Sequence, residues 1–149
     1  MITPLAKSDL PELAELLKTE AGPELRYMDE GDPEVIRSVW EGLIDQGLSL
    51  SVVYRDAEHT LQGWVLGFAS YDLFSGRPIA VILFWYVRKP RTLGRQLSAI
   101  GLMERFIDRA RLHGCTRVLG GEWETGPSLG RTLNRLGFRR TEISYHKDL

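Results

Sequence analysis

The sequence of 149 residues is 43% hydrophobic and 26% charged, which is typical of one globular domain with a sizeable core. Its single cysteine excludes an internal disulfide and a cysteine-based zinc cage, and it fits a reducing compartment. The net charge of -1 argues against general nucleic-acid binding, because the chain as a whole is not basic.

No segment of the sequence predicts a membrane span or a targeting signal. The longest apolar run, residues 79–87, is far too short to cross a bilayer, and the N-terminus does not resemble a signal peptide. We therefore expect a soluble, cytoplasmic protein with no membrane or nucleic-acid partner, and we predict no metal site.

The charges are segregated along the chain. Residues 1–47 carry eleven acids and four bases, a balance of -7, whereas residues 73–103 carry five bases and no acid. This distribution predicts an anion site in the middle of the chain. The acidic front half either attracts a cationic partner or simply forms a solvated face.

The first third of the chain predicts one short strand and two helices. Residues 2–5 form the strand. Asp9 and Glu12 are typical of a capping box at the start of a helix, and leucines at helical spacing continue this helix to Gly22. After a loop, Asp32 and Pro33 are typical of an N-cap and first helical position, and Gly47 ends this second helix.

The middle of the chain predicts an antiparallel meander of three strands. Residues 48–54, 61–72 and 79–87 have strand patterns and are joined by tight turns. Gly63 and Gly67 mark bulges or close approaches within the second of them. The third is apolar at nearly every position, so we expect it to lie centrally with both faces covered.

The last third predicts a long helix from Leu93 to near His113, and then a short strand over residues 115–119 that must run parallel to its predecessor. Gly126 and Pro127 open a last helix, Gly137 closes it, and residues 139–147 form a final strand. The predicted order is β-α-α-β-β-β-α-β-α-β. It describes a single α/β domain over residues 1–149, a sandwich around a mixed central sheet.

The junction between the central strand and the long helix is suited to binding a phosphate. The unpaired backbone N–H groups of a helix start bind anions, and Gly94 lets a phosphate approach the main chain closely. Four basic side chains surround this place: Arg88, Lys89, Arg91 and Arg95.

This junction, in this order of elements, resembles the GNAT (Gcn5-related N-acetyltransferase) superfamily. The family motif is Arg/Gln-x-x-Gly-x-Gly/Ala between a strand and a helix, and here it reads Arg91-Thr92-Leu93-Gly94-Arg95-Gln96 after Pro90. Leu136-Gly137-Phe138 is similar to the Leu-Gly-Phe with which the family ends its last helix.

The resemblance implies an acyltransferase that moves an acetyl group from acetyl-CoA to an amine by direct attack. It implies that the pyrophosphate of coenzyme A lies on the turn, and that the pantetheine arm pairs with the end of the central strand. The implied cofactor-binding residues are Tyr86, Val87, Arg91, Thr92, Leu93, Gly94, Arg95 and Gln96. The implied partner is a small-molecule or peptide amine, attracted as a cation if the acidic front half contributes.

Several positions depart from the family pattern. Gln96 occupies the second Gly/Ala position of the turn, Leu133 stands where many relatives carry a tyrosine general acid, and Gly126 stands where they often carry asparagine. The central strand also lacks a carboxylate base. These departures support an alternative hypothesis, a catalytically degenerate GNAT-like binding or structural protein of the kind found in phage genomes.

The remaining candidates each have two interpretations. Glu124, with Glu122 on the same face, is either a catalytic proton acceptor or an exposed loop carboxylate. Tyr86 either hydrogen-bonds a ligand or packs in the core, and Cys115 is a small buried residue rather than a nucleophile. Exposed apolar residues between Phe68 and Phe74, or on the last strand, could pair two copies into a homodimer.

Overall fold

The computed structural model describes residues 1–25, 32–88, 93–121 and 130–141, with backbone alone for residues 24–25 and 93–97. Over these residues the strands form one sheet, and helices pack on both of its faces. The elements are β1 Ile2–Pro4, α1 Leu10–Leu16, α2 Gly22–Leu25, α3 Pro33–Asp45, β2 Val52–Arg55, β3 Leu61–Tyr71, β4 Pro78–Val87, α4 Leu93–Leu112, β5 Val118–Leu119 and α5 Gly130–Arg135.

The sheet has the order β1-β2-β3-β4-β5. Neighbouring strands from β1 to β4 are antiparallel, whereas β5 pairs with β4 in parallel through Ala80 with Val118 and Val81 with Leu119. This arrangement confirms the predicted mixed sheet, because a helix crossover between β4 and β5 imposes the parallel direction.

Each face of the sheet has its own hydrophobic core, since successive strand residues point to opposite faces. On one face, α1 and α3 pack their leucines and Trp40 around Trp64 and Tyr86. On the other face, α4 packs Leu102 and Phe106 against the sheet. The central strand β4 thus contributes to both cores, as its continuous apolar sequence predicts, although Leu83 at its middle is 43% exposed.

The start of the first helical region differs from the prediction in detail. Asp9 is the N-cap residue of α1, as predicted, but it also ends a short 3-10 turn, Lys7–Asp9, and its side chain makes no capping hydrogen bond to α1. Its carboxylate accepts the Ala6 N–H at 2.8 Å. The prediction for α3 is confirmed: Asp32 caps the helix by accepting the Glu34 N–H at 2.9 Å, and Pro33 is its first residue.

The helix α1 is joined to the sheet by a charged network that the sequence did not predict. Arg55, at the end of β2, donates to Asp9 at 2.8 Å and to Glu12 at 2.7 Å. Burial alone would lower the pKa of Arg55, but these two hydrogen bonds raise it above its ordinary value. Glu12 also accepts the Leu61 N–H at 3.0 Å, which ties the start of β3 to the same helix.

The strand β4 contains a bulge. Leu66 pairs with Phe84 and Gly67 pairs with Ile82, so Leu83 is an extra residue without an opposite number in β3. Gly67 lies at this irregularity, as its sequence position predicted. Backbone groups of β4 point alternately toward β3 and away from it. Because of the extra residue, this alternation is offset by one residue between the two sides of the bulge.

The C-terminal part of the chain is described only over residues 130–141. The helix α5 ends at Arg135, and Gly137 follows in the left-handed conformation with φ of 84°. The Phe138 N–H closes this helix by donating to the Leu133 carbonyl at 3.0 Å, which confirms the predicted end. Residues 139–141 do not form a strand, and the rest of the predicted last strand lies outside the described residues.

Candidate functional site

The candidate site begins at the edge of β4 that faces β5. The described pairing between the two strands extends only over Ala80 and Val81, whereas β4 continues for six more residues to Val87. Gly120 follows β5 and comes so close to Ile82 that a Cβ on it would lie 3.3 Å from the Ile82 Cβ. Within the described residues, therefore, the second half of β4 has a partner strand on one side only.

The main-chain groups along this edge follow from one hydrogen bond. The Arg88 N–H donates to the Gln62 carbonyl of β3 at 2.9 Å, and Tyr86, two residues back, faces β3 in the same way. Because the direction alternates along a strand, Trp85 and Val87 turn their N–H and C=O groups toward the opposite edge. An extended ligand with amide groups could pair with this edge as an added strand would.

The helix α4 starts beside the same end of β4. It begins at Leu93, five residues after Arg88, and its core residues fix it against the sheet. Gly63 permits this close packing, since a Cβ there would lie 3.2 Å from the Leu102 side chain and 3.0 Å from the Tyr86 carbonyl. We call the part of this β4 edge that has no partner strand among the described residues the open edge. The open edge and the N-terminus of α4 share one end of the sheet; the edge suits an extended ligand, and the helix N-terminus suits an anion.

The predicted cofactor-binding residues fall into three groups. Tyr86 and Val87 end β4. The first turn of α4 contains Leu93, Gly94, Arg95 and Gln96, for which the structure describes the backbone but not the side chains. Arg91 and Thr92 lie outside the described residues.

The side chains of Tyr86 and Val87 belong to the two cores. Tyr86 is buried on the α1 face, with its ring 5.0 Å from that of Trp64. Val87 is buried on the α4 face. Because both side chains are buried, we expect a ligand at the open edge to contact the main-chain atoms of Val87 rather than either side chain.

Arg88 is held by a residue far away in sequence. Its Nε donates to Glu20 at 2.8 Å, its Nη2 contacts the other oxygen of the same carboxylate, and its Nη1 reaches the Leu61 carbonyl at 3.3 Å. The hydrogen bonds to Glu20 raise the pKa of the Arg88 guanidinium. Arg88 is therefore matched by a carboxylate, and it adds less positive charge to the junction than the sequence indicated.

The candidate catalytic carboxylate Glu124 lies outside the described residues, together with Glu122 and Gly126. Leu133 is described, and it packs against the core on the α4 face. No hydroxyl is thus available from this position to protonate a thiolate. Cys115 is partly buried, and burial raises the pKa of its thiol, which agrees with a packing role.

The described part of the chain offers neither a metal site nor a membrane-spanning helix. No group of three or more His, Cys, Asp or Glu side chains there could hold a metal ion. No helix there has the length and apolar character needed to cross a membrane.

Two features of the site were missed by the sequence interpretation. The bulge at Leu83 depends on tertiary pairing, and the only signal for it was the glycine at position 67 of the neighbouring strand. The ion pair between Glu20 and Arg88 joins residues 68 positions apart, and neither residue type at these places distinguishes a paired charge from a solvated one.

Comparison with known proteins finds similarity in structure but not in sequence. No protein-family model matches the chain, and no curated protein matches it significantly. A protein from Clostridium acetobutylicum described as a predicted acetyltransferase, solved with acetyl-CoA, has a TM-score of 0.79 at 10% identity, covering 99% of this chain and 95% of that one. Glucosamine-6-phosphate N-acetyltransferase from Arabidopsis thaliana has a TM-score of 0.76 at 16% identity, covering 99% and 97%.

A transcriptional regulator from Bacillus halodurans has a similar TM-score of 0.78 at 16% identity, covering 100% of this chain and 99% of its own. Structural similarity at such low sequence identity shows the fold alone, and one fold supports several functions. The similarity nevertheless covers nearly the whole chain, including the mixed sheet and the helices on both of its faces that the described residues form. This chain has the GNAT fold.

Proposed function

We propose that the protein binds acetyl-CoA at the end of β4 and transfers the acetyl group to an amine. The observation that carries this proposal is the open edge of β4 beside the N-terminus of α4, in a fold whose neighbour from Clostridium acetobutylicum was solved with acetyl-CoA. The Arg-x-x-Gly turn at residues 91–94 supports the same ligand.

The donor set at this edge fits the chemistry of coenzyme A. The main-chain groups of Trp85 and Val87 suit the amides of a pantetheine arm, and the first turn of α4 suits a pyrophosphate. Arg91 and Arg95 are the proposed phosphate ligands, and Gly94 provides close approach of the main chain. The bound group would supply the acetyl thioester, the donor of the transferred group.

The chain would promote the transfer mainly by positioning. An N–H group at the open edge can polarise the thioester carbonyl where negative charge develops during attack by the amine. Glu124 remains the proposed acceptor of the amine proton, directly or through water. Because position 133 is a leucine, which packs against the core on the α4 face, no tyrosine there protonates the leaving thiolate, and solvent is the proposed proton source.

The proposed acceptor is an amine, and we expect a cationic one because residues 1–47 carry an excess of acids. Asp32 and Glu34 are exposed at the start of α3, although Asp32 caps the helix and Glu34 pairs with Arg37 at 2.7 Å. An amine that arrives as a cation would be attracted to this acidic part of the chain and must lose its proton before attack.

The test of binding is calorimetric titration of the purified protein with coenzyme A and with acetyl-CoA. We expect saturable binding, and we expect Arg95→Ala to weaken it about tenfold, as loss of a charged phosphate contact does. Arg111→Ala is the matched control: it removes an arginine from the last turn of the same helix, where Arg111 pairs only with Asp108 in the described contacts. Absence of heat with either ligand at millimolar concentration would contradict the proposal.

The test of turnover is release of free coenzyme A from acetyl-CoA with a panel of amines. We expect Glu124→Gln to lower the rate while leaving the affinity for coenzyme A unchanged, and Glu122→Gln to have a smaller effect. The packing of Leu133 favours the second candidate, a GNAT-like domain that binds without turnover. Binding by calorimetry with no release for any amine would support that candidate instead.

A further inference from the structure

The turn between β3 and β4 exposes an unusual amount of apolar surface. Tyr71 is 66% exposed, Leu73 is 95% exposed and Phe74 is fully exposed. We call these three residues the hairpin tip. Single exposed apolar side chains are common on protein surfaces, but a contiguous group of large ones is typical of an interaction site.

The hairpin tip is held in place by the turn beneath it. The Asp72 carboxylate accepts the N–H groups of Ser75 at 2.8 Å and Phe74 at 2.9 Å, and these bonds lower its pKa. The Gly76 N–H donates to the Asp72 carbonyl at 2.8 Å, and Gly76 has the positive φ of 65° that such a turn requires. An ordered turn loses little entropy when its side chains dock, so the tip is suited to binding.

The surroundings of the tip are basic. Arg77 follows the turn, and Arg117 immediately precedes β5, and both line one depression together with Phe74. Arg117 comes within 4.0 Å of the Asp72 carboxylate, which the turn already engages. An apolar projection with two arginines beside it fits an apolar surface that carries acids.

The outer face of α3 is a surface of this kind on the same chain. Val35 is 57% exposed and Val39 is 53% exposed, and their spacing of four residues places them on one side of the helix. Glu34 and Glu41 line the same shallow depression. Among the described contacts Glu34 pairs with Arg37 at 2.7 Å, and Lys7 lies 3.5 Å from Glu41 and 2.6 Å from Asp45, so three carboxylates face two bases here. We call Val35 and Val39 with these flanking carboxylates the α3 face.

We infer that the hairpin tip of one copy of the protein docks on the α3 face of a second copy. Leu73 and Phe74 would cover Val35 and Val39, while Arg77 and Arg117 would approach Glu34 and Glu41. Contact between two hairpin tips is disfavoured, because it would bring the arginines of both copies together. The contact joins two different surfaces, so each copy carries both halves of the interface.

The size of these surfaces sets the expected strength of association. Five apolar side chains at the centre belong to the small, transient class of interface, which buries less than about 1,200 Å² in total. We therefore expect a dissociation constant of roughly 10–500 μM rather than a permanent dimer. The arginine and glutamate contacts are exposed, so added salt should weaken the association.

Sedimentation measured over a range of protein concentrations tests the inference. We expect the average mass to rise with concentration in the wild-type protein, up to about 0.5 mM. Phe74→Ser and Val39→Lys should each shift the apparent dissociation constant by about tenfold or more. The matched control is Leu112→Ser, which removes a side chain of similar character that is 86% exposed at the end of α4; it should associate as the wild type does.

Mixing the two variants gives the decisive measurement. The Phe74→Ser protein keeps an intact α3 face, and the Val39→Lys protein keeps an intact hairpin tip. A contact between unlike surfaces therefore predicts that the mixture associates although each variant alone does not. Circular dichroism before mixing establishes that both variants are folded.

Three results would overturn the inference. The first is a wild-type protein whose mass stays that of one chain at about 0.5 mM. The second is association that Phe74→Ser abolishes while Val39→Lys leaves it intact, since the tip would then contact itself or another surface. The third is a mixture of the two variants that shows no more association than either variant alone.

Discussion

At the residue scale, Gly67 shows how one position determines the geometry of the candidate site. It lies at the bulge where β4 changes phase, and the α4 helix packs directly over it. A Cβ at this position would lie 2.4 Å from the Val81 carbonyl oxygen and 2.6 Å from the Phe106 ring. Neither neighbour can move freely, because one is strand backbone and the other is a fully buried ring.

We expect Gly67→Ala to destabilise the protein by about 3 kcal/mol or more, because overpacking a core against backbone has no cheap relaxation. Urea denaturation measures this free energy. The matched control is Gly42→Ala in α3, where the new methyl group would meet only the Gln46 side chain at 4.0 Å. That substitution should stabilise the helix by about 0.5–1 kcal/mol, and equal effects of the two variants would contradict the role of Gly67.

Cys115 gives a prediction on pH. Burial disfavours the thiolate and so raises the pKa of Cys115 in the folded chain. Because the thiolate is the reactive form, the pH at which alkylation reaches half of its maximal rate should be higher for the folded protein than for the protein in urea. By the same sign, ionisation of Cys115 at alkaline pH favours the unfolded chain. An equal midpoint in both states would contradict this placement of the thiol.

At the element scale, the Glu20–Arg88 pair connects the first helical region with the end of β4. Glu20 lies in a π-helical turn, Leu17–Ala21, and the helical region then continues through α2. Arg88 is the last described residue before α4 begins at Leu93, and it precedes the predicted phosphate ligands in the sequence. The pair thus fixes the end of β4 to the first helical region, next to the candidate site.

Breaking this pair should cost measurable stability. The side chains of Arg88 and Glu20 are 25% and 33% exposed, so Glu20→Gln should lower the free energy of unfolding by about 1–2 kcal/mol. A double-mutant cycle with Arg88→Met should give a coupling of about 1 kcal/mol. The control cycle on Asp108 and Arg111, an exposed pair on α4, should give a coupling near zero, and equal couplings would contradict this role.

At the scale of the whole molecule, the sheet separates the two proposed activities. The candidate acetyl-CoA site lies where β4 ends and α4 begins, whereas the hairpin tip lies at the opposite end of β4, before Pro78. Variants at the hairpin tip therefore leave the candidate acetyl-CoA site untouched, whereas Glu34 on α3 belongs both to the proposed docking surface and to the acidic part of the chain proposed to attract the amine.

Much of this fold could be predicted from the sequence. Hydrophobic periodicity gave the helices, alternation and turns gave the strands, and Pro33 and Gly137 marked helix ends by their backbone chemistry. The direction of β5 followed from the helix before it. These features are local, or they follow from rules of chain connection, and so a single sequence contains them.

The sequence by itself determined the order of the elements, the covered central strand and the basic junction at residues 88–95. Only the tertiary structure decided which of these charges are matched, because Glu20 reaches Arg88 across 68 positions. It also decided that Tyr86 is buried against Trp64, and that the bulge turns Trp85 and Val87 to the open edge. Pairing register and long-range contacts depend on the packing of both layers together, which local periodicity does not encode.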